Sequence, residues 1–152
     1  MPREVRRIVV FMLLAVCLGV TCDAKQLAVI VDKSNNVGGL SSAELARLFK
    51  LDSRKWPDGR NVVLVLRDPS TPEMQTAMQK LYHMQLDELK KLLEAQRNNV
   101  VIVKTEQDLL KSVESIPGAV GLVDVYSITS HVRVLKVDGK LPLEPGYYLK
   151  GK

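Results

Sequence analysis

The chain has 152 residues, 46% of them hydrophobic, and a formal net charge of +5, which places it in the range of a single domain able to bury its own core. The basic residues are scattered (Lys33, Arg47, Arg54, Arg60, Lys90, Lys91, Lys111) with no aromatic residues interleaved, a pattern that argues against nucleic acid as a partner. A modest positive field still favours a small anion.

Residues 1–24 differ in composition from the rest. Arg3, Arg6 and Arg7 precede an apolar run over 8–20, and the polar Thr21-Cys22-Asp23-Ala24 follows. That order is a secretory signal peptide, with cleavage expected near Ala24 and a single domain over 25–152. The 13-residue run falls short of the roughly 20 residues that a helix needs to span a bilayer, so membrane contact is expected only through this segment. Acylation at Cys22 is an alternative, although neither 19–21 ahead of Cys22 nor 14–16 ahead of Cys17 makes a convincing lipobox. Both cysteines fall in the segment expected to be removed, so the mature domain must fold without a disulfide. Its 19 basic and 15 acidic residues leave a net charge of about +4.

The mature part opens with an apolar strand over 27–31, bounded by Asp32-Lys33-Ser34-Asn35-Asn36. Ser41, three residues before Glu44, has capping-box spacing, and Leu45, Leu48 and Phe49 then share one helical face. Trp56-Pro57-Asp58-Gly59 is a turn, and β-branched residues over 62–66 predict a second strand. Pro72 suits the first turn of a helix, with Thr71 placed to cap it and Met74, Ala77, Met78 and Leu81 inward. Another helix follows, carrying Leu86, Leu89, Leu92 and Leu93 inward and Asp87, Lys90, Lys91 and Glu94 outward. Strand 100–103, helix 105–113, strand 119–123 entered through Pro117-Gly118, strand 132–137, the turn Asp138-Gly139 and a Pro-rich tail over 141–152 complete the pattern. Alternation of this kind predicts a layered α/β domain with a mainly parallel or mixed sheet.

Four segments, in this order, resemble the substrate-binding proteins of phosphate ABC transporters. Residues 27–35 (Leu27-Ala28-Val29-Ile30-Val31-Asp32-Lys33-Ser34-Asn35) are similar to the strand with which that family crosses between lobes. Residues 40–49, followed by Trp56 and Gly59, resemble its helix and tryptophan-bearing loop. Leu66-Arg67-Asp68-Pro69-Ser70-Thr71 sits where the family carries an arginine and then a Ser-Gly-Thr anion loop. Pro117-Gly118-Ala119-Val120-Gly121-Leu122-Val123 resembles its late strand. The resemblance spans 27–139 and implies a three-layer α/β sandwich, one lobe of a type II periplasmic-binding-protein-like fold, located in the periplasm. The family has two lobes, and the first, with its own phosphate loop, has no counterpart here.

The resemblance also implies a site for phosphate or a similar oxyanion at Arg67, Ser70 and Thr71. Amides at a strand-to-helix junction and a planar guanidinium suit such a ligand. Arg67 matches the family arginine, and Ser70 its serine if one residue is deleted between them. The loop glycines are absent, and Pro72 removes an amide donor. The alternative is that Thr71 only caps its helix and Arg67 pairs with Asp68 or another carboxylate.

No catalytic constellation is assembled by spacing, and no metal or cofactor is expected. His83 and His131 are far apart. Met74, Met78 and Met84 near His83 raise soft-metal binding against a core role, and Trp56 reads as a lid over the preceding helix or a partner contact. Tyr147 and Tyr148 resemble a Gly-Tyr segment of the family, or simply pack on the sheet. A lone lobe is expected to bind an oxyanion weakly unless a second copy or an envelope protein supplies the facing wall. The alternative is a non-transport interaction or regulatory domain of the envelope that has lost the ligand site.

Overall fold

A computed structural model describes residues 25–151, so the expected signal peptide lies outside the described residues. Within them no helix is long and apolar enough to cross a membrane. The chain forms strands β1 (Leu27–Asp32), β2 (Gly39–Leu40) and β3 (Val63–Arg67), then β4 (Val100–Val103), β5 (Ala119–Asp124), β6 (Val132–Val134) and β7 (Lys136–Val137). Helices α1 (Ser42–Phe49), α2 (Pro72–Ala77), α3 (Leu86–Ala95) and α4 (Glu106–Ser115) lie between them.

Five strands make the central sheet in the order β4-β3-β5-β1-β6. β3 pairs parallel with β4 and with β5, whereas β1 is inserted antiparallel between β5 and β6. Four strands therefore run one way and β1 runs against them. Every residue of β1 is buried, as expected of a strand with neighbours on both edges and helices over both faces. Its odd residues, Leu27, Val29 and Val31, enter the larger core with Leu64, Leu66, Val120 and Leu122. Its even residues, Ala28 and Ile30, enter the smaller one with Val65, Ala119 and Val123.

Helix spacing decides which layer covers which face. Leu45, Leu48 and Phe49 of α1, Met74 and Ala77 of α2, and Leu89 and Leu93 of α3 fill the larger core. Leu109 and Val113 of α4 close the smaller one. A Leu or Phe moved from water into such a core stabilises the fold by about 1.5–3 kcal/mol. The α4 layer sits close to the sheet because Gly121 has no side chain: a Cβ there would lie 2.9 Å from Leu109 Cδ2 and 3.1 Å from Val65 O. The expected capping box is present, with Glu44 N donating to Ser41 Oγ at 3.2 Å and Ser41 N donating to Glu44 Oε2 at 2.8 Å.

Two expectations are corrected. The strand expected over 132–137 is broken at Leu135, which turns into the larger core while its amide still donates to Val29 O at 2.9 Å. Beyond that bend β7 leaves the main sheet and pairs parallel with β2, a strand too short to show a sequence pattern. At the end of α2, Met78–Tyr82 continue as a π-helical turn closed by His83 in the left-handed region.

The tail fixes the start of β1. Leu27 N donates to Leu149 O at 3.0 Å and Gly151 N to Lys25 O at 2.9 Å, with Tyr147 and Leu149 buried. At the other end of β1, the buried Asp32 accepts hydrogen bonds from Gly118 N and Ser34 N, each at 3.0 Å, and from Ser34 Oγ. Arg60 Nη1 lies 3.6 Å from it.

Candidate functional site

In open α/β sheets the carboxyl ends of parallel strands are where ligands meet the chain. Here that edge gathers Arg67 at the end of β3, Lys104 just after β4 and Asp124 at the end of β5. Because β1 is antiparallel to them, its start brings Lys25 to the same edge.

The structure places the three expected anion ligands at the β3–α2 junction, each engaged within the chain. Ser70 Oγ donates to Asp68 Oδ1 at 2.5 Å, and Ser70 N donates to the same oxygen at 2.8 Å. Thr71 stands at the N-cap position of α2 without capping it through its side chain; its hydroxyl turns back and donates to Asp68 O at 2.9 Å. These bonds close the loop on itself, a local side-chain-to-backbone pattern that Ser, Thr and Asp favour. The Ser70 bonds hold the Asp68 carboxyl below the ordinary aspartate range.

Arg67 faces a carboxylate, Glu73. Arg67 Nη1 lies 3.6 Å from Glu73 Oε2, and Nη2 donates to Lys104 O at 3.4 Å. Glu73, in the first turn of α2, is itself buried, its side chain 8% exposed. Its other oxygen, Oε1, accepts a hydrogen bond from Lys25 Nζ at 2.8 Å. Among the described residues, Arg67 Nε and Glu73 Oε2 are buried without a hydrogen-bond partner.

The charges respond to this arrangement. Burial alone would raise the Glu73 carboxyl; the Lys25 hydrogen bond, the residue's own amide and the charges of Lys25 and Arg67 outweigh it, so the group is held below the ordinary glutamate range. Lys25 is raised in turn, first by its hydrogen bond to Glu73 and then by that carboxylate's charge, with smaller contributions from Asp124 and Glu106. Glu106 Oε1 accepts from Asp124 N at 2.8 Å and Oε2 accepts from Ser127 Oγ at 2.8 Å.

Sequence reasoning missed Lys25 and Glu73. An acidic residue in a first turn is commonplace because it suits the helix dipole, and nothing local pairs Glu73 with a lysine 48 positions earlier. The only available signal was Glu73 directly after Pro72, on the inward arc otherwise held by Met74 and Ala77.

The remaining candidates fall to structural roles. Trp56 is buried and its indole Nε1 donates to Gly118 O at 2.9 Å. Met74 joins the larger core, with Met78 and Met84 packed against it. Tyr147 is buried, and Tyr148 OH donates to Lys80 O at 2.6 Å. His131 lies 3.5 Å from Glu114 on the surface. Among the described residues no group of three or more His, Cys, Asp or Glu is placed to hold a metal ion.

Compared with solved structures, the chain is similar to an ABC-type phosphate transport receptor from Vibrio cholerae, with a TM-score of 0.71 at 16% identity over 84% of this chain and 54% of the receptor. PstS from Borrelia burgdorferi is similar to the same degree, with a TM-score of 0.71 at 15% identity over 86% of this chain and 56% of that protein. A phosphate-binding protein from Stenotrophomonas maltophilia matches with a TM-score of 0.60 at 18% identity over 78% of this chain and 40% of its own. The chain thus has the fold of a single lobe of phosphate ABC transporter substrate-binding proteins and spans about half the length of the proteins it matches. No family model matches the chain, and no curated protein matches it in sequence.

Proposed function

We propose that this protein is an exported envelope module built on the lobe of phosphate-binding proteins, and that it binds phosphate or a similar oxyanion weakly by itself. In this reading residues 1–24 direct export to the periplasm and are removed near Ala24. The lobe then works by docking, against a second copy or an envelope protein, rather than as a free carrier. A single observation carries the proposal: at this junction Arg67 is already engaged by Glu73 and Lys104, and Ser70 and Thr71 by Asp68. An incoming anion must displace those contacts, and among the described residues it meets no facing lobe to exclude water and strengthen the remaining ones.

Calorimetry with inorganic phosphate on the exported protein, with light scattering to fix its oligomeric state, tests this. The expected dissociation constant is no tighter than roughly 1 mM. A submicromolar constant for a proven monomer sinks the proposal. The rival reading, a docking domain with no anion affinity at all, gains ground if phosphate produces no heat while an envelope partner is retained in pull-downs.

A further inference from the structure

Glu73 is an unusual group to find inside this fold. A buried carboxylate costs several kcal/mol unless it is both paired and fully hydrogen-bonded. Here one oxygen is satisfied by Lys25 and the other has an arginine nearby but no hydrogen bond. We propose that Lys25 and Arg67 form an oxyanion-binding pair, and that the Glu73 carboxylate occupies it as an internal substitute for the ligand. The inference rests on the weak-oxyanion reading above and names the group that makes the binding weak.

Three observations converge on it. First, the two cations come from the start of β1 and the end of β3, and both turn toward the same carboxylate. Second, the guanidinium is under-used: an arginine fork grips an oxyanion through two parallel N–H donors, yet Nε is buried and bare and only Nη1 approaches Glu73. That leaves Nε as a spare donor for an oxyanion that takes the place of the carboxylate. Third, the charges match. With Glu73 in place the pair keeps one surplus positive charge, and without it the pair keeps two, which suits a small dianion such as hydrogen phosphate or sulfate.

Asp124 at the end of β5 and Glu106 at the start of α4 oppose binding, since both act on Lys25. Their oxygens are directed into the β5 loop, Asp124 Oδ1 accepting from Tyr126 N at 2.9 Å and Glu106 accepting from Asp124 N and Ser127 Oγ. They weaken the site without filling it. The backbone of Lys25 is held by the bond from Gly151 N, so its Cα stays at the edge when Glu73 is removed.

The test is calorimetry with inorganic phosphate on full-length protein exported by its host, wild type beside Glu73→Ala and the double variant Arg67→Met/Glu73→Ala. Glu73→Ala is expected to bind phosphate at least about tenfold tighter than wild type, a gain of about 1.4 kcal/mol. The double variant is expected to fall back to the wild-type level. A folded Glu73→Ala that binds no tighter than wild type overturns the inference, and so does a gain that survives loss of Arg67. Glu73→Ser, smaller and still polar, carries the same expectation if the alanine variant does not fold. Its thermal midpoint should rise with phosphate by more than that of wild type. Submicromolar binding by wild type contradicts the earlier reading, whereas equally weak binding by wild type and variant overturns only the role given to Glu73.

Discussion

The two ends of the central sheet each hold a buried carboxylate near an arginine, and they are finished differently. Asp32 accepts from Gly118 N, Ser34 N and Ser34 Oγ, with Arg60 beside it. Arg60 is itself committed to Asp58 at 2.8 Å and to Ser34 Oγ at 2.7 Å. Glu73 has one hydrogen bond to a half-exposed lysine and leaves an oxygen and an arginine nitrogen bare. Saturation marks the first end as a lock that joins β1 to the turn before β5. The second end is less completely satisfied, and on the reading proposed above it keeps binding capacity in reserve, although Asn35 Nδ2, Tyr82 OH and Tyr147 OH are also buried without partners among the described residues.

The contrast breaks most sharply at Gly118. Its φ is +80°, and a Cβ there would lie 2.1 Å from Asn61 O. A side chain costs about 1–2 kcal/mol for the left-handed backbone alone. Relief of the clash also moves the amide off Asp32 and the carbonyl off Trp56 Nε1 and Val63 N. Gly118→Ala is therefore expected to lose about 4 kcal/mol in urea unfolding, and a loss below about 1 kcal/mol would show that this lock is loose. Next in size is Asp32→Asn, which keeps the shape but offers one acceptor where donors approach both oxygens. The expected loss is about 2 kcal/mol, and an unchanged midpoint would remove the contrast between the two ends.

The lock and the reserve site were unequally legible in the sequence. Continuous apolar runs at 27–31 and 119–123 announced buried strands, and Ser41 with Glu44 announced the start of α1, because each signal is local and has one physical reading. Gly118 was visible, with Pro117, as the entry to a strand, but its bond to Asp32 spans 86 positions and leaves no local trace. At the junction after β3 the resemblance drew attention to Arg67, Ser70 and Thr71. Ser70 and Thr71 bond to Asp68, which the sequence offered only as a partner for Arg67, whereas Arg67 turns to Glu73 and Lys104. Strand 132–137 misled for a related reason: its composition is uniformly strand-like, and the break at Leu135 is set by where Val29 and β2 lie. Neither lies next to it in sequence.

The smallest expected effect is the most specific to the Lys25–Glu73–Arg67 end. Lys25 is half-exposed and Arg67 a quarter exposed, so water takes over much of what Glu73 supplies. Glu73→Ala should cost only about 1 kcal/mol or less near neutral pH. The shape of that difference against pH carries the information. Glu73 is lowered in the folded state, so its contribution is complete above the ordinary glutamate value of about 4.3 and is lost as pH falls through the lower folded value. Lys25 is raised, so its contribution is complete below the ordinary lysine value of about 10.4 and is lost as pH rises through the higher folded value. The stability difference between wild type and Glu73→Ala should therefore form a plateau that shrinks at both extremes. Urea unfolding across the pH range reads it directly. A difference that persists unchanged into strong acid would mean that the carboxylate's charge is not what holds Lys25 and Arg67 together, and that packing of the Glu73 side chain does so instead.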